Sequence, residues 1–190
     1  MSEIAAFVRL GMHHIADPSA LDHVLFLLAL AAIYRGSDWR QAIGVITAFT
    51  VGHSVTLALT VTGAVRLPSA LIELLIPLTI LATATENLLV RERERAPLRG
   101  RYRPVFAGVF GLVHGAGFAN YLSSLFTGSI AAPLFGFNLG IELGQLAILA
   151  AASVALSGVD LLLGHRLRVV TVSAAVAVAA VPMALERLPW

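Results

Sequence analysis

Long stretches of the chain carry no charge at all. No Asp, Glu, Lys or Arg occurs between Arg40 and Arg66, between Arg103 and Glu142, between Glu142 and Asp160, or between Arg168 and Glu186. A helix that crosses a bilayer needs about 20 mostly apolar residues, because the hydrocarbon core is about 30 Å thick and each residue rises about 1.5 Å. Backbone polar groups in lipid must also pair within their own segment, which favours helices. Of the 190 residues, 58% are hydrophobic and only 13% charged, against about 25% charged in soluble domains. A soluble core this apolar would lack the polar surface to cover it. The expectation is an all-α polytopic membrane helix bundle forming one domain, 1–190. Six transmembrane helices are expected at about 18–34, 41–62, 68–90, 105–125, 134–156 and 169–185. A short amphipathic helix over residues 2–15 would lie at the interface ahead of them. Asp17 and Pro18 read as the N-cap and first-turn proline of the first crossing.

All 13 basic residues are arginines, and they are clumped. The loops after the first, third and fifth crossings hold ten of them, six within the polar loop 91–104. The opposite side holds three, Arg9, Arg66 and Arg187. The positive-inside rule makes the richer side cytoplasmic and puts both termini outside, in an inner or plasma membrane. Trp39 and Tyr102 would mark the inner interface and Trp190 the outer one. Arginines that set topology are no nucleic-acid footprint; the expected partner is the lipid bilayer. The chain has no cysteine, which excludes disulfides and thiolate metal ligands. The N-terminal "MSEIAAFVRLGMHHI" has no basic leader before a long apolar run, so no cleavable signal is read. No nucleotide-binding loop is present, and ATP hydrolysis by this chain is not expected.

Polar residues nevertheless interrupt the apolar segments, in "LDHVLF", "HSVTLAL", "ATENLL", "LVHGAGF", "GFNLG" and "IELGQ". An ionisable residue inside a crossing costs roughly 2.5–3.5 kcal/mol on insertion scales, so it marks a function or a paired contact. Counting along the crossings places Asp22, His23, His53, His114, Asn138 and Glu142 in one layer between the outer surface and the midplane. Gln145 falls just below it. Glu86 and Asn87 lie deeper. Asn138, Glu142 and Gln145 stand at i, i+4, i+7 and share one stripe. The other side of that helix carries Gly136, Gly140 and Gly144, a strip for close helix contact. Gly111 and Gly115 flank His114 in the same way. Phe49, His53, Thr56 and Thr60 share a face, as do Thr79, Thr83 and Glu86.

Imidazole and carboxylate without sulfur suit nickel, cobalt, zinc or Cu(II), and equally a proton relay. Structural alternatives stand beside this. His53 could hydrogen-bond a neighbouring helix carbonyl, and Asp22 with His23 could be a helix-start pair. Asn138 and Gln145 could tie helices together. Glu73 is expected to pair with Arg66, and His13 and His165 to sit on the surface.

At these residues the chain resembles the HupE/UreJ family of membrane proteins. The matching stretches are "GMHHIADPSALDHVLFLLAL", "TAFTVGHSVTLAL", "IELLIPLTILATATENLL", "FGLVHGAGFAN" and "FGFNLGIELGQL". The family pattern of a histidine followed shortly by Asp-His falls on His14, Asp22 and His23; its later His-Gly falls on His114 and Gly115. Seven residues, "IADPSAL", separate His14 from Asp22. The hydrogenase-associated members have fewer, so the chain looks more like the second, less characterised branch. The resemblance implies a permease for nickel or a related divalent metal, acting alone, as a homo-oligomer, or beside proteins that mature nickel enzymes.

On that reading Asp22 and His23, with His14, capture the ion at the outer mouth. His53, His114 and Glu142 hold it within the membrane, Asn138 supports them, and Glu86 is an inner station. Two other readings stay open. One is an intramembrane zinc-dependent hydrolase of lipids, in which Ser54 beside His53 gains interest. The other is a non-catalytic assembly or accessory protein whose polar residues only join helices.

Overall fold

The computed structural model describes residues 2–17, 21–91, 100–125 and 129–188. Among them there are seven α-helices and no strand: α1 (Glu3–Ala16), α2 (Leu21–Ile33), α3 (Trp39–Val61), α4 (Ser69–Val90), α5 (Arg103–Ser123), α6 (Ala131–Leu163) and α7 (His165–Glu186). A 3₁₀ turn, Gly36–Asp38, joins α2 to α3. Four helices, α3, α4, α6 and α7, are long and apolar enough to cross a membrane, and α1 with α2 adds a fifth crossing if the pair, bent by 72°, is one span. α5 is uncharged beyond Arg103 and lies along α3. Large apolar side chains point outward, with Val154 76% and Leu161 89% exposed. A surface of that kind belongs in hydrocarbon.

The boundaries differ from the sequence expectation at three places. The N-terminal helix forms, capped by the Ser2 hydroxyl, which accepts from Ala5 N–H at 3.3 Å. One of its faces is packed along α6. Asp17 closes α1 as its C-cap, and Pro18 lies outside the described residues. The stretch "SGVDLLLGHRLR" between the fifth and sixth expected crossings, which reads in sequence as a loop or a short surface segment, instead continues α6 to Leu163, after which Gly164 at φ 74° breaks the chain before α7. At about 1.5 Å per residue α6 is about 50 Å long, well beyond a bilayer core. Its projecting end is held by Asp160, 3.1 Å from Arg168. Arg168 is buried and donates to the Tyr34 carbonyl at the end of α2. His165, expected on the surface, is half-buried against Arg168; His13 is exposed. Most of loop 91–104, and Trp190, lie outside the described residues.

Two glycine seams set the bundle. Along α1 and α6, a Cβ on Gly11 would strike the Phe137 carbonyl, and one on Gly140 would strike the Val8 carbonyl. Gly136 and Gly144 face Ile4 and Ile15 of α1 in the same row. Along α3 and α5, a Cβ on Gly52 would strike Gly108, one on Gly111 the Phe49 carbonyl, and one on Gly115 the backbone of His53. Without a hydrophobic drive between helices in lipid, close backbone approach is a main source of association. The strips legible in the sequence therefore find their partners: α1 for the α6 strip, α3 for the α5 strip.

The end of the bundle where α4 stops and α5 begins is tied by a polar network. Glu86 accepts from both the Tyr102 hydroxyl and Arg103. Arg103 also donates to Asn87 at 3.0 Å, and Asn87 donates to the Ala29 carbonyl and to Ser173. One carboxamide thus joins α2, α4, α5 and α7. Burial, then the neighbouring Glu86, pushes the Tyr102 hydroxyl above its ordinary pKa, so it stays a donor.

Candidate metal centre

The two seams converge on a group of histidines. α1 ends with His14, carried by the seam along α6. α2 begins with Asp22 and His23, on the far side of the 72° bend. α3 brings His53, whose backbone is the surface against which Gly115 packs. His14, His23 and His53 each offer a ring nitrogen, and these nitrogens all lie within 4.8 Å of one another. Nitrogens bound tetrahedrally at about 2.1 Å stand about 3.4 Å apart, so small side-chain rotations would close the set on one ion. His14 and His23 meet nearly edge to face, ring centres 4.6 Å apart.

The nitrogens are held open. His53 is 0% exposed, yet neither of its ring nitrogens has a hydrogen-bond partner. Nε2 of His23 and Nε2 of His14 are likewise without a partner, and Nδ1 of His23 has only the Asp22 carboxylate beside it. Leaving a buried polar atom unpaired costs about 1–3 kcal/mol. A structural histidine would have its nitrogens engaged on a neighbour; the Asn138 carboxamide lies within hydrogen-bonding range of the His53 ring but does not meet either nitrogen in a directed bond. Asp22 Oδ1 is 3.2 Å from His23 Nδ1. It also accepts from the His23 backbone N–H at 3.0 Å, so one carboxylate oxygen holds both the ring and the backbone of His23.

His114 adjoins the three. Its ring centre is 5.5 Å from that of His23, and its Nε2 is 3.0 Å from the Thr79 hydroxyl. With the Thr79 hydrogen committed to the Ile76 carbonyl at 2.7 Å, that hydroxyl accepts from Nε2–H. The lone pair of His114 is then on Nδ1, which is buried and unpartnered. Aromatic rings wall the group. Phe118 lies 3.9 Å from the His14 ring and stacks on Phe137, while Phe26 and Phe49 close the side of His114.

The remaining sequence candidates make contacts of their own. Glu142 accepts from Thr47 at 2.6 Å, with its second oxygen buried and unpartnered. Gln145 accepts from Thr50 at 2.8 Å. These two carry the α3–α6 contact and are not in the trihistidine group. Glu86 and Asn87 belong to the network at the other end. Ser54 donates to the Thr50 carbonyl of its own helix at 2.7 Å. No ion pair joins Arg66 to Glu73 among the described residues; the Glu73 carbonyl accepts from Arg187. Thr79 and Thr47 drew no notice as partners in the sequence, where a threonine in an apolar helix has no signal beyond sharing a face.

A bundle of apolar helices enclosing unpaired imidazoles is the architecture of a membrane protein with an internal polar site. The family model described as HupE / UreJ protein matches residues 1–187. The chain belongs to the HupE/UreJ family. No curated protein and no solved structure matches it.

Proposed function

We propose that the chain is a permease for a divalent transition-metal ion of the nickel and cobalt type, with His14, His23 and His53 as its internal ligands. The observation that carries this reading is the convergence of three histidines from three helices, with Nε2 of His14 and of His23 and both nitrogens of His53 in no directed hydrogen bond. Imidazole suits nickel, cobalt, zinc and copper. Stripping water from such an ion in hydrocarbon is prohibitive unless several ligands replace it together. Asp22 supports His23, and its charge favours the arriving cation. His114, with its lone pair on Nδ1, is the next ligand along the path. The topology that fits has both termini outside the cytoplasm and the α4–α5 connection inside, with α5 and the bent α1–α2 pair completing six crossings of an inner or plasma membrane.

The test is flux. Proteoliposomes loaded with a metal-sensitive dye should fill with nickel or cobalt, and His53→Ala at equal protein content should reduce the rate to that of empty liposomes. Equal rates for the two proteins would overturn the proposal.

A second reading has one observation in its favour: three nitrogens beside a carboxylate resemble a zinc site with an open position for water. It predicts turnover of lipid esters or amides by the zinc-loaded protein, which a permease would not show.

A further inference from the structure

A cavity of about 130 Å³ lies between α2, α3, α4 and α5, away from the histidine nitrogens. Its back wall is Phe26 and Leu30 of α2 and Val45 of α3, and Ala107 with Phe110 forms its side. Its mouth passes between Ala82 on α4 and Phe106 on α5, both exposed on the outward apolar surface. One end reaches Glu86, Tyr102 and Arg103, whose polar atoms are committed largely to one another. A divalent ion would find one carboxylate there, already paired with a guanidinium. Water would find few partners, and apolar cavities of about this size stay dry and accept hydrocarbon.

Two exposed arginines lie close in sequence to the residues at the polar end of the cavity. Arg101 directly precedes Tyr102 and is exposed; Arg91 caps α4 and is exposed. Exposed arginines at a helix edge attract anionic headgroups. An apolar slot open sideways, with cations at one end, matches an acyl chain joined to a phosphate.

We propose that the crevice between α4 and α5 binds one anionic phospholipid, a short stretch of one acyl chain entering the cavity bounded by Phe26, Ala107 and Phe110, the rest of the chain lying on the outward apolar surface, and its phosphate at Arg91 and Arg101. The proposal is independent of the metal reading. It bears on the same protein because Phe26, which the chain would touch, has its ring centre 5.6 Å from that of His114. The bound chain braces the wall that separates the histidines from the other end of the bundle.

The experiment is native mass spectrometry of the delipidated protein in detergent, incubated with phosphatidylglycerol or phosphatidylcholine. The expected result is one retained phosphatidylglycerol per chain. Ala107→Leu, which fills the cavity, and Ala82→Phe, which narrows the mouth, should each lower occupancy about tenfold while leaving bound nickel unchanged. Arg101→Gln should remove the preference over phosphatidylcholine. Retention equal to wild type in both filled variants would overturn the proposal, as would no retained lipid or a cavity that holds only detergent. If one filled variant fails to fold, the other still decides.

Discussion

The two polar regions of the bundle treat their buried groups differently. At the Glu86–Arg103 end, the groups answer one another: Glu86 to Tyr102 and Arg103, Asn87 to Arg103, Ala29 and Ser173. Single nitrogens stay unpaired there, Nε of Arg103 among them, but every such side chain has a partner. At the histidine end, His23 and His53 are buried with no ring nitrogen in a directed hydrogen bond. Both regions lie inside the same apolar bundle, so burial alone does not mark function. What separates them is whether hydrogen bonds already account for the polar atoms. A network that ties four helices explains its own presence. Unpaired imidazoles held together by two glycine seams call for a ligand.

Substitutions should separate the two ends. The largest effect on metal is expected from His53→Ala, which removes one of three nitrogens and should weaken nickel or cobalt binding at least about a hundredfold by isothermal titration, with little change in thermal stability. Next is Gly115→Leu, whose side chain would collide with the His53 backbone. It should lose metal binding and also cost about 1–3 kcal/mol of stability, whereas Gly44→Leu, with nothing within 4 Å, should change neither. Asp22→Asn should weaken binding by about tenfold, within the range for a group that supports a metal-binding histidine. Arg103→Met should do the reverse of His53→Ala. Metal affinity should stay, while thermal unfolding in detergent shows a loss of about 1–3 kcal/mol, since Glu86 and Asn87 lose a shared donor. The smallest effect on metal affinity is expected from Glu142→Gln, a few-fold at most, because that carboxylate faces Thr47. A hundredfold loss there would return Glu142 to the ligand set.

Much of this was legible in the residues. The uncharged stretches announced the helices, and Gly136, Gly140 and Gly144 announced a close contact on the face away from Asn138 and Glu142. His23, His53 and His114 stood out because imidazole is rare in lipid-soluble segments. The partner of each face was not legible, since spacing along one helix says nothing of which helix packs on it. Glu142 was expected among the histidines, at matching depth; one of its oxygens accepts from Thr47 and the other is buried without a partner. The extension of α6 was hidden by Ser157, Gly158 and Asp160, residues that read as a turn until Arg168 is seen to pair with Asp160. His14 came forward only through the family pattern. Its own surroundings, the last turn of an amphipathic helix, gave no reason to place it inside the bundle, where the α1–α6 seam carries it.

The most direct test of the central claim is metal content. Elemental mass spectrometry of detergent-purified protein, after loading with nickel, cobalt, zinc and copper in turn and removal of free ion, would be read beside His14→Ala, His23→Ala and His53→Ala. One metal per chain in the wild type, lost in each variant, is the predicted result. Wild-type protein that retains no metal under any loading, or variants that retain as much as wild type, would contradict the account.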